Sequence, residues 1–411
     1  MCRTKSAAAD QSPQSQPHVL LLVCGGIAAY KAIECMRGLQ RAGCDVRVAM
    51  TDDACKFVGP TTFEALSGHA VATSLYDFDD SPIPHIYLSD WADVVLVVPC
   101  TANVLAKLAT GIADDVVSAS ALACDKDFVI APAMNTKMWN NPATQHNVHT
   151  LLQRGMHLIT PATKMLACGI TGTGALASVT NIVDTCLLWC ARRLQPQILS
   201  SKKVLITAGP THEAIDPVRY IANASSGKMG YALARAVRDA GAEVTLVTGP
   251  TALAAPCGVT TIDVTSAREM YERSLEAFTG VDAAILTAAV ADWTPVEACD
   301  HKLKKHAEPL STLALRETDD ILRSLSAQKE QRIVIGFAAE TDDLVAHAQQ
   351  KLADKRCDMI VANDVSRADS CFGSNTNTVS FVTPSSVEQL PTLSKKEVAE
   401  HIVAKLAELL R

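Results

Sequence analysis

The chain has 411 residues, of which 48% are hydrophobic, 20% charged and only 4% aromatic. This composition excludes a disordered chain, a collagen and a coiled-coil rod, and the length is enough for two to three domains. The net charge of −7, with no run of basic residues, argues against nucleic acid as a partner.

At the N-terminus, residues 1–17 are polar and contain no apolar core of a signal peptide, so we expect a disordered tail. The first apolar stretch, residues 18–24, is far too short to span a bilayer. We therefore expect a cytoplasmic protein with no membrane partner.

Short apolar runs typical of buried strands then alternate with amphipathic helical segments. Strands are predicted at residues 18–24, 45–50, 93–98 and 128–131 in the first half, and at 203–207, 243–247, 283–287, 332–336 and 358–362 in the second. Helices are predicted at residues 28–41, 87–92, 102–109, 142–154, 182–190, 228–240, 267–278, 342–355 and 396–410. Residues 377–382 and 387–390, around a Pro-Ser-Ser turn, are predicted to form a hairpin added to the second sheet.

Alternation of strands and helices favours α/β domains with mainly parallel sheets covered on both faces. Both halves begin with a strand, a glycine-containing turn, a helix, an Ala-Gly pair and another strand. We therefore predict two successive Rossmann-like domains, at residues 18–194 and 203–411, joined by a polar linker at 195–202.

The fourteen cysteines form no Cys-x-x-Cys pair and have no zinc-like spacing, and a disulfide framework is not expected in a long cytoplasmic chain. Those within apolar segments, such as Cys186 and Cys190, are expected to be buried thiols. Cys168 differs, because Gly169 follows it in a glycine-rich loop.

The turn Gly25-Gly26-Ile27 links the first predicted strand to a helix, which favours a bound phosphate. A tight turn without a ligand is the alternative. The turn is not G-x-G-x-x-G, and no acidic residue ends the next strand, which argues against NAD. Flavin mononucleotide (FMN), with a single phosphate and no second ribose, is compatible with this pattern.

Three motifs in the first half together resemble the homo-oligomeric flavin-containing cysteine decarboxylases. They are residues 25–31 (GGIAAYK), 132–135 (PAMN) followed by Met138-Trp139, and 167–169 (ACG). The resemblance implies a flavodoxin-like domain that binds FMN and decarboxylates 4′-phosphopantothenoylcysteine to 4′-phosphopantetheine.

The second half resembles phosphopantothenate–cysteine ligase. The motifs are residues 206–211 (ITAGPT), 216–220 (DPVRY), 223–230 (NASSGKMG), 288–292 (AAVAD), 302–305 (KLKK), 336–341 (GFAAET) and 362–364 (AND). Their order matches the bifunctional bacterial enzyme of coenzyme A synthesis. The resemblance implies a nucleotide-binding domain that joins 4′-phosphopantothenate to L-cysteine through an acyl-cytidylate made from CTP, with Mg²⁺ carried mainly by the CTP phosphates.

In the decarboxylase half, the resemblance implies that His85 is the base, that Asn135 contacts the substrate carboxylate and that Cys168 protonates the ene-thiol product. Candidate FMN contacts are Gly25, Gly26, Ile27, Thr101, Ala102 and Asn103. Judged alone, a loop histidine, a turn-capping asparagine and a helix N-cap at Thr101 are ordinary structural features.

The loop after Cys168 departs from the family. Members usually carry an Asp after the glycine and an Arg-Met near the loop end, where this chain has Ile170 and Ala175-Leu176. If the loop covers the substrate, a substrate contact is lost, which affects decarboxylation more than flavin binding.

In the ligase half, the resemblance implies that Asn223 holds the acyl-cytidylate and that Lys302 is essential for its formation. Implied CTP-binding residues are Ala288, Ala289, Asp292, Lys302, Phe337, Lys351 and Lys355. Lys351 and Lys355 share one helix face, for which a solvated surface is the ordinary interpretation.

Two other interpretations stay open. One is a flavoprotein that works as a regulatory binding subunit, and the other is flavin prenyl transfer, which does not explain Cys168 or the second half. The resemblance also implies trimers of the flavin domain and dimers of the ligase domain.

Overall fold

The structure is a computed structural model that describes residues 16–165, 169, 171–304, 312–340, 343–364 and 374–411. The chain divides between Leu194 and Gln195 into two compact units, each built on its own mainly parallel sheet. In the part of the chain so described, no helix combines the length and apolar character needed to cross a membrane.

The first unit contains eight strands among its described residues. They are β1 (His18–Val23), β2 (Asp45–Met50), β3 (Val71–Ala72), β4 (Val94–Cys100), β5 (Asp127–Pro132), β6 (His157–Leu158), β7 (Ala162–Met165) and β8 (Thr171–Ala175). The first six form one parallel sheet in the order β3-β2-β1-β4-β5-β6, and β7 and β8 form an antiparallel hairpin. Without the short edge strand β3, this is the flavodoxin strand order.

Helices cover both faces of this sheet. They are α1 (Tyr30–Arg41), which follows a 3₁₀ turn at Ile27–Ala29, α2 (Asp52–Cys55), α3 (Pro60–Ser67), α4 (Pro84–Trp91), α5 (Ala102–Thr110), α6 (Val116–Ala123), α7 (Thr136–Trp139), α8 (Pro142–Gln153) and α9 (Val179–Leu194). Alternate residues of β1 enter two hydrophobic cores: Leu21 packs with α1 and α9, and Leu20 packs with α5 and α8. Burial on both faces explains the continuous apolar strands.

The second unit contains the remaining strands of the described residues. They are β9 (Lys203–Ala208), β10 (Glu213–Ala214), β11 (Tyr220–Ile221), β12 (Glu243–Thr248), β13 (Thr260–Asp263), β14 (Ala283–Leu286), β15 (Trp293–Pro295), β16 (Leu315–Glu317), β17 (Ile333–Glu340), β18 (Met359–Asp364), β19 (Thr376–Asn377), β20 (Val379–Val382), β21 (Val387–Gln389) and β22 (Leu393–Ser394). Eight of them form a sheet in the order β13-β12-β9-β14-β17-β18-β20-β21. Its first six strands are parallel, and β20 and β21 are antiparallel.

Within the described part of the second unit, five helices flank the sheet: α10 (Lys228–Asp239), α11 (Ala267–Phe278), α12 (Ile321–Ala327), α13 (Leu344–Lys355) and α14 (Lys395–Leu409). One core lies between the sheet and α10 with α14, and the other between the sheet and α11, α12 and α13. The predicted fold class, two successive α/β domains with mainly parallel sheets and an added hairpin, is confirmed.

The hairpin differs in detail from the prediction. Asn377 lies in β19, which pairs with β22 rather than with β21. The predicted strand at 332–336 also extends further, as β17 continues to Glu340 alongside β18.

Residues 195–202, expected to be a linker, pack within the second unit. The side chain of Leu199 is 1% exposed in the core with α10, and its N–H donates to the carbonyl of Ala240 at 2.9 Å. The amide of Gln197 donates to the carbonyl of Asp239 at 3.1 Å. The linker prediction was wrong because this mostly polar segment contains a leucine, Leu199, that is buried in the core of the second unit.

A fragment spanning residues 195–411 should therefore be more stable than one spanning 203–411. Losing the buried Leu199 side chain alone should cost about 2–4 kcal/mol of unfolding free energy, as for other buried leucines. Urea unfolding of the two fragments measures the difference, with Leu199→Ala in the longer fragment as the matched control. Equal stabilities of all three proteins would contradict this packing.

Candidate active sites

A cavity of about 1030 Å³ lies at the carboxyl ends of the parallel strands in the first unit. Its walls come from the segments that follow β1, β2, β4 and β5, and from the β7–β8 hairpin. The sequence-predicted residues that line it are Gly25, Gly26, Ile27, Thr101, Ala102, Asn103 and Asn135. The cavity thus brings together all the candidate FMN contacts.

The Gly25-Gly26 turn is shaped by a close approach of α2. A Cβ atom on Gly25 would lie 2.3 Å from the Cβ atom of Asp53, whereas one on Gly26 would have no neighbour nearer than 3.8 Å. Gly26 precedes the 3₁₀ turn that leads into α1, and no side chain caps that end. Backbone N–H groups at such an uncapped end suit an anion.

Two of the other lining residues also cap helices. The Oγ1 atom of Thr101 accepts from the N–H of Val104 at 3.3 Å, at the start of α5. The Oδ1 atom of Asn135 accepts from the N–H of Lys137 at 2.8 Å. Both residues therefore have the structural capping role that was the alternative to a ligand contact. The caps also fix both side chains at the cavity wall.

Several charges in the cavity wall are already paired. The Lys107 ammonium lies 2.6 Å from a carboxylate oxygen of Asp114 and 2.7 Å from one of Asp115. Although burial opposes it, these carboxylates raise the pKa of Lys107 above its ordinary value. Lys56 is likewise paired with Asp53 at 2.7 Å.

The β7–β8 hairpin lies directly on the Asn135 segment. The N–H of Met134 donates to the carbonyl of Gly174 at 2.8 Å, and a Cβ atom on Gly174 would lie 2.4 Å from the carbonyl oxygen of Met134. A Cβ atom on Gly172 would lie 2.6 Å from the Oγ1 atom of Thr136. The two glycines are therefore required for this close contact.

His85 does not line the cavity. It lies in the first turn of α4, which begins at Pro84, three residues earlier than the predicted helix. Its Nδ1 atom is buried and has no hydrogen-bond partner among the described residues. Cys168 lies outside the described residues.

Described cysteines within apolar segments are buried, as predicted. Cys186 and Cys190 are 0% and 2% exposed in α9. Burial raises the pKa of the Cys24 thiol to about 12 and also raises that of Cys100, so neither thiol is reactive near neutral pH.

The second unit has its own cavity, of about 910 Å³, at the carboxyl ends of β9, β14 and β17. The sequence-predicted residues that line it are Asn223, Ala288, Ala289, Asp292, Phe337, Lys351 and Lys355. Only Lys302, of the residues predicted for this site, is not in the lining.

The turn before α10 closes one side of this second cavity. The Nδ2 group of Asn223 donates to the carbonyl of Val290 at 2.8 Å, which ties the turn to the loop after β14. Gly227 has φ = +72° and begins α10 without a side-chain cap. A Cβ atom on Gly230 would lie 2.5 Å from the Cβ atom of Ala208, so α10 lies close against β9.

The two lysines of α13 close the opposite part of the lining. The Nζ group of Lys351 donates to the carbonyl of Phe337 at 3.0 Å, and Lys355 pairs with Asp320. Although burial opposes it, Lys355 and the N–H of Arg323 lower the pKa of Asp320. The interpretation of these lysines as a solvated face is therefore wrong, since both are held at the cavity wall.

Lys302 is exposed beside a fixed loop. The side chain of Asp216 accepts from the N–H groups of Val218 and Arg219 at 2.8 Å and from that of Leu303 at 3.2 Å. The Arg219 guanidinium holds the pKa of Asp216 well below its usual range and also donates to the carbonyl of Leu303 at 2.9 Å. These contacts anchor the chain next to Lys302.

Two family models match the chain, one over each of the two units. The Flavoprotein family model matches residues 7–190, and the model of the DNA/pantothenate metabolism flavoprotein C-terminal domain matches residues 199–410. The chain is 46% identical over 395 residues to the coenzyme A biosynthesis bifunctional protein CoaBC of Bacillus subtilis (strain 168), covering 95% of this chain and 97% of that relative. The corresponding protein of Vibrio parahaemolyticus serotype O3:K6 (strain RIMD 2210633) is 43% identical over 395 residues, covering 95% and 98%.

The chain belongs to this family of bifunctional coenzyme A biosynthesis proteins. A solved structure of the C-terminal domain of a CoaBC protein is 43% identical and covers 52% of this chain and 98% of that one, with a TM-score of 0.45. The family resemblance read from the motifs is confirmed.

The structure of this family member also shows cavity residues that the sequence did not single out. Lys228 at the start of α10 and Lys395 at the start of α14 both line the second cavity. Their ammonium groups donate to the Oδ1 atom of Asn375 at 2.9 Å and to the carbonyl of Ser374 at 2.6 Å. Lys228 lies within the motif at residues 223–230, which was its signal in the sequence.

Substituting the two turn glycines should have unequal effects on this family member. Gly25→Ala should lower the melting temperature of the first unit by about 5 °C or more, because its new methyl group overlaps Asp53 and backbone atoms of α2. Gly26→Ala, the matched control, should change it by less than about 1 °C, since its methyl group would come no nearer than 3.8 Å to any neighbour. Circular dichroism melting checks both, and equal losses would contradict the described turn.

Proposed function

We propose that the chain catalyses two consecutive steps of coenzyme A synthesis. Its second unit joins 4′-phosphopantothenate to L-cysteine with CTP, and its first unit decarboxylates the resulting 4′-phosphopantothenoylcysteine with FMN. The observation that carries the proposal is that each unit has its own cavity at the carboxyl edge of its sheet. The candidate FMN contacts line one cavity, and the implied CTP-binding residues apart from Lys302 line the other. Both steps belong in the cytoplasm.

In the ligase step, a carboxylate must be activated before an amine can displace its oxygen. CTP supplies that activation as an acyl-cytidylate, with loss of pyrophosphate, and the amine of cysteine then displaces CMP. Lys351 and Lys355 are placed at the wall to bind phosphate oxygens. Asn223 holds the acyl-cytidylate at the turn before α10, and Lys302 stabilises the charge that develops as it forms.

Mg²⁺ enters the ligase site with the nucleotide. Among the described residues, no group of three or more His, Cys, Asp or Glu side chains is placed to hold a metal ion. A cation that bridges triphosphate oxygens needs few protein ligands of its own, because Mg²⁺ retains much of its water shell.

The residues of the first cavity fit FMN. The uncapped helix start at Gly26 offers N–H groups for one phosphate, and the exposed side chains of Ile27 and Tyr30 offer apolar surface for a ring system. When bound, FMN would supply the two-electron oxidation of the substrate's thiol carbon and would return two electrons to the ene-thiol left after loss of CO₂.

The side chains of the decarboxylase then orient the substrate and move protons. Asn135, fixed by its cap, contacts the substrate carboxylate through its amide, which can donate to it. His85 removes the proton lost during oxidation. Cys168 donates the proton that completes the ene-thiol's conversion to the thiol product.

The position of His85 supports a homo-oligomeric flavin domain. The residue lies outside its own cavity wall, and Ile83 and Ile86 beside it are 52% and 42% exposed. Large exposed apolar side chains around a candidate catalytic group favour an interface between copies. We therefore propose that a neighbouring copy brings His85 to the site; the numbers of copies, three for the first unit and two for the second, are those that the family resemblance implies.

The full chain tests the ligase assignment when it is given 4′-phosphopantothenate, cysteine, CTP and Mg²⁺. It should form 4′-phosphopantetheine, CMP, pyrophosphate and CO₂. Lys351→Gln should raise KM for CTP by about tenfold or more through loss of a charged phosphate contact. The flavin absorbance spectrum should stay unchanged. Lys396→Gln, in the first turn of α14 but outside the cavity lining, is the matched control.

Three results would separate the alternatives. Pyrophosphate release from the Lys351→Gln enzyme with an unchanged KM would contradict the lysine's role. Flavin binding without CO₂ release would favour the regulatory flavoprotein, for which the altered loop after Cys168 gives some support. Prenylation of the flavin would favour the third interpretation.

Cys168→Ser tests the proton donor. A serine hydroxyl has a far higher pKa than a thiol, whose ordinary value is about 8.5, so it is a poor donor at neutral pH. The variant should bleach the flavin and release CO₂ when given 4′-phosphopantothenoylcysteine, then accumulate a product two hydrogens lighter than 4′-phosphopantetheine. Mass spectrometry identifies the product. Normal 4′-phosphopantetheine would mean that the thiol only fills space.

A further inference from the structure

The β7–β8 hairpin has an outer face and a face toward the cavity. The Oγ1 atoms of Thr163 and Thr173 lie opposite each other on exposed positions and are 2.8 Å apart. Side chains of successive strand residues point to opposite faces, so the next pair, Lys164 and Gly172, points the other way. Lys164 and Gly172 lie on the face toward the cavity, because a Cβ atom on Gly172 would meet Thr136.

Lys164 therefore extends over the first cavity and lines it. Its cross-strand partner Gly172 has no side chain, which leaves the Lys164 side chain room on the inner face. Lys164 is exposed, and none of the described residues forms an ion pair with it. A hairpin that carries a solvated cation over a ligand cavity can recognise an anion there.

The balance of charges in the cavity singles out two lysines. Lys107 is neutralised by two aspartates and Lys56 by one. Lys31 and Lys164 also line the cavity, and neither has an ion pair with the described residues. Lys31 follows the Gly-Gly turn on α1, on the side where the single flavin phosphate fits, so Lys164 is left for a second anion.

We infer that Lys164 binds the 4′-phosphate of the decarboxylase substrate and thereby selects phosphorylated over unphosphorylated substrates. The inference rests on the proposed decarboxylase function. The substrate carries two anionic groups, a carboxylate and a phosphate, and Asn135 serves the carboxylate. An ammonium group on a long, flexible side chain suits a phosphate dianion at the cavity wall.

The test compares two substrates with two variants of the full-length, FMN-loaded protein. Lys164→Gln should raise KM for 4′-phosphopantothenoylcysteine by about tenfold, the usual loss for a charge-assisted contact, with kcat nearly unchanged. For pantothenoylcysteine, which lacks the phosphate, the same variant should change KM by less than about twofold. Lys137→Gln on α7, exposed but outside the cavity lining, should change neither value.

Binding of the product 4′-phosphopantetheine, followed through the flavin absorbance spectrum, gives a second readout. Lys164→Gln should weaken it, and flavin content should equal that of the unsubstituted protein. Equal KM increases for both substrates would overturn the inference, as would loss of flavin, which would assign Lys164 to the flavin phosphate. If the unsubstituted protein neither converts nor binds these ligands, the proposed decarboxylase function fails. If it does both, and Lys164→Gln has the same KM values and the same product binding, only the inference fails.

Discussion

The parallel pairing of buried strands determines where both candidate sites lie. Each unit begins at a strand inside its sheet, β1 or β9. The next strands of the parallel sheet are added on one side of it, and the later ones, beginning with β4 or β14, are added on the other side. The direction of winding therefore reverses at this first strand. At such a point the loops after two neighbouring strands diverge and leave a crevice. Both cavities lie at this position, bounded by the loops after β1 and β4 in one unit and after β9 and β14 in the other.

Steric clearance and charge then define what those crevices can bind. Gly25 and Gly230 allow backbone and helix to approach to distances that a Cβ atom would prevent, which keeps helix starts at the cavity wall. Aspartates neutralise Lys107 and hold Lys355 in place, whereas Lys31 and Lys164 form no ion pair with the described residues. Cations that keep their charge and uncapped N–H groups favour phosphates, and phosphorylated ligands are common to both proposed reactions.

The sequence predicted the central strands to within a few residues because burial on both faces leaves a continuous apolar run. The two-residue strands β3 and β6 have no such signal, since they only border the sheets. Asn135 and Asp292 were implied as site residues by the family resemblance, and both line the cavities. Lys164 and Lys228 were missed as site residues, because only tertiary packing brings a hairpin or a helix start to the wall.

Hydrogen–deuterium exchange of the full-length protein, with FMN and with CTP and Mg²⁺ added separately, tests most directly whether the two crevices bind different cofactors. FMN should slow amide exchange at residues 25–31 and 101–104 and leave residues 223–230 and 287–292 unchanged. CTP should have the opposite effect, because a ligand protects the amides that it contacts or orders. Protection of the same segments by both ligands, or of neither pair of segments, would contradict the assignment of one reaction to each sheet edge.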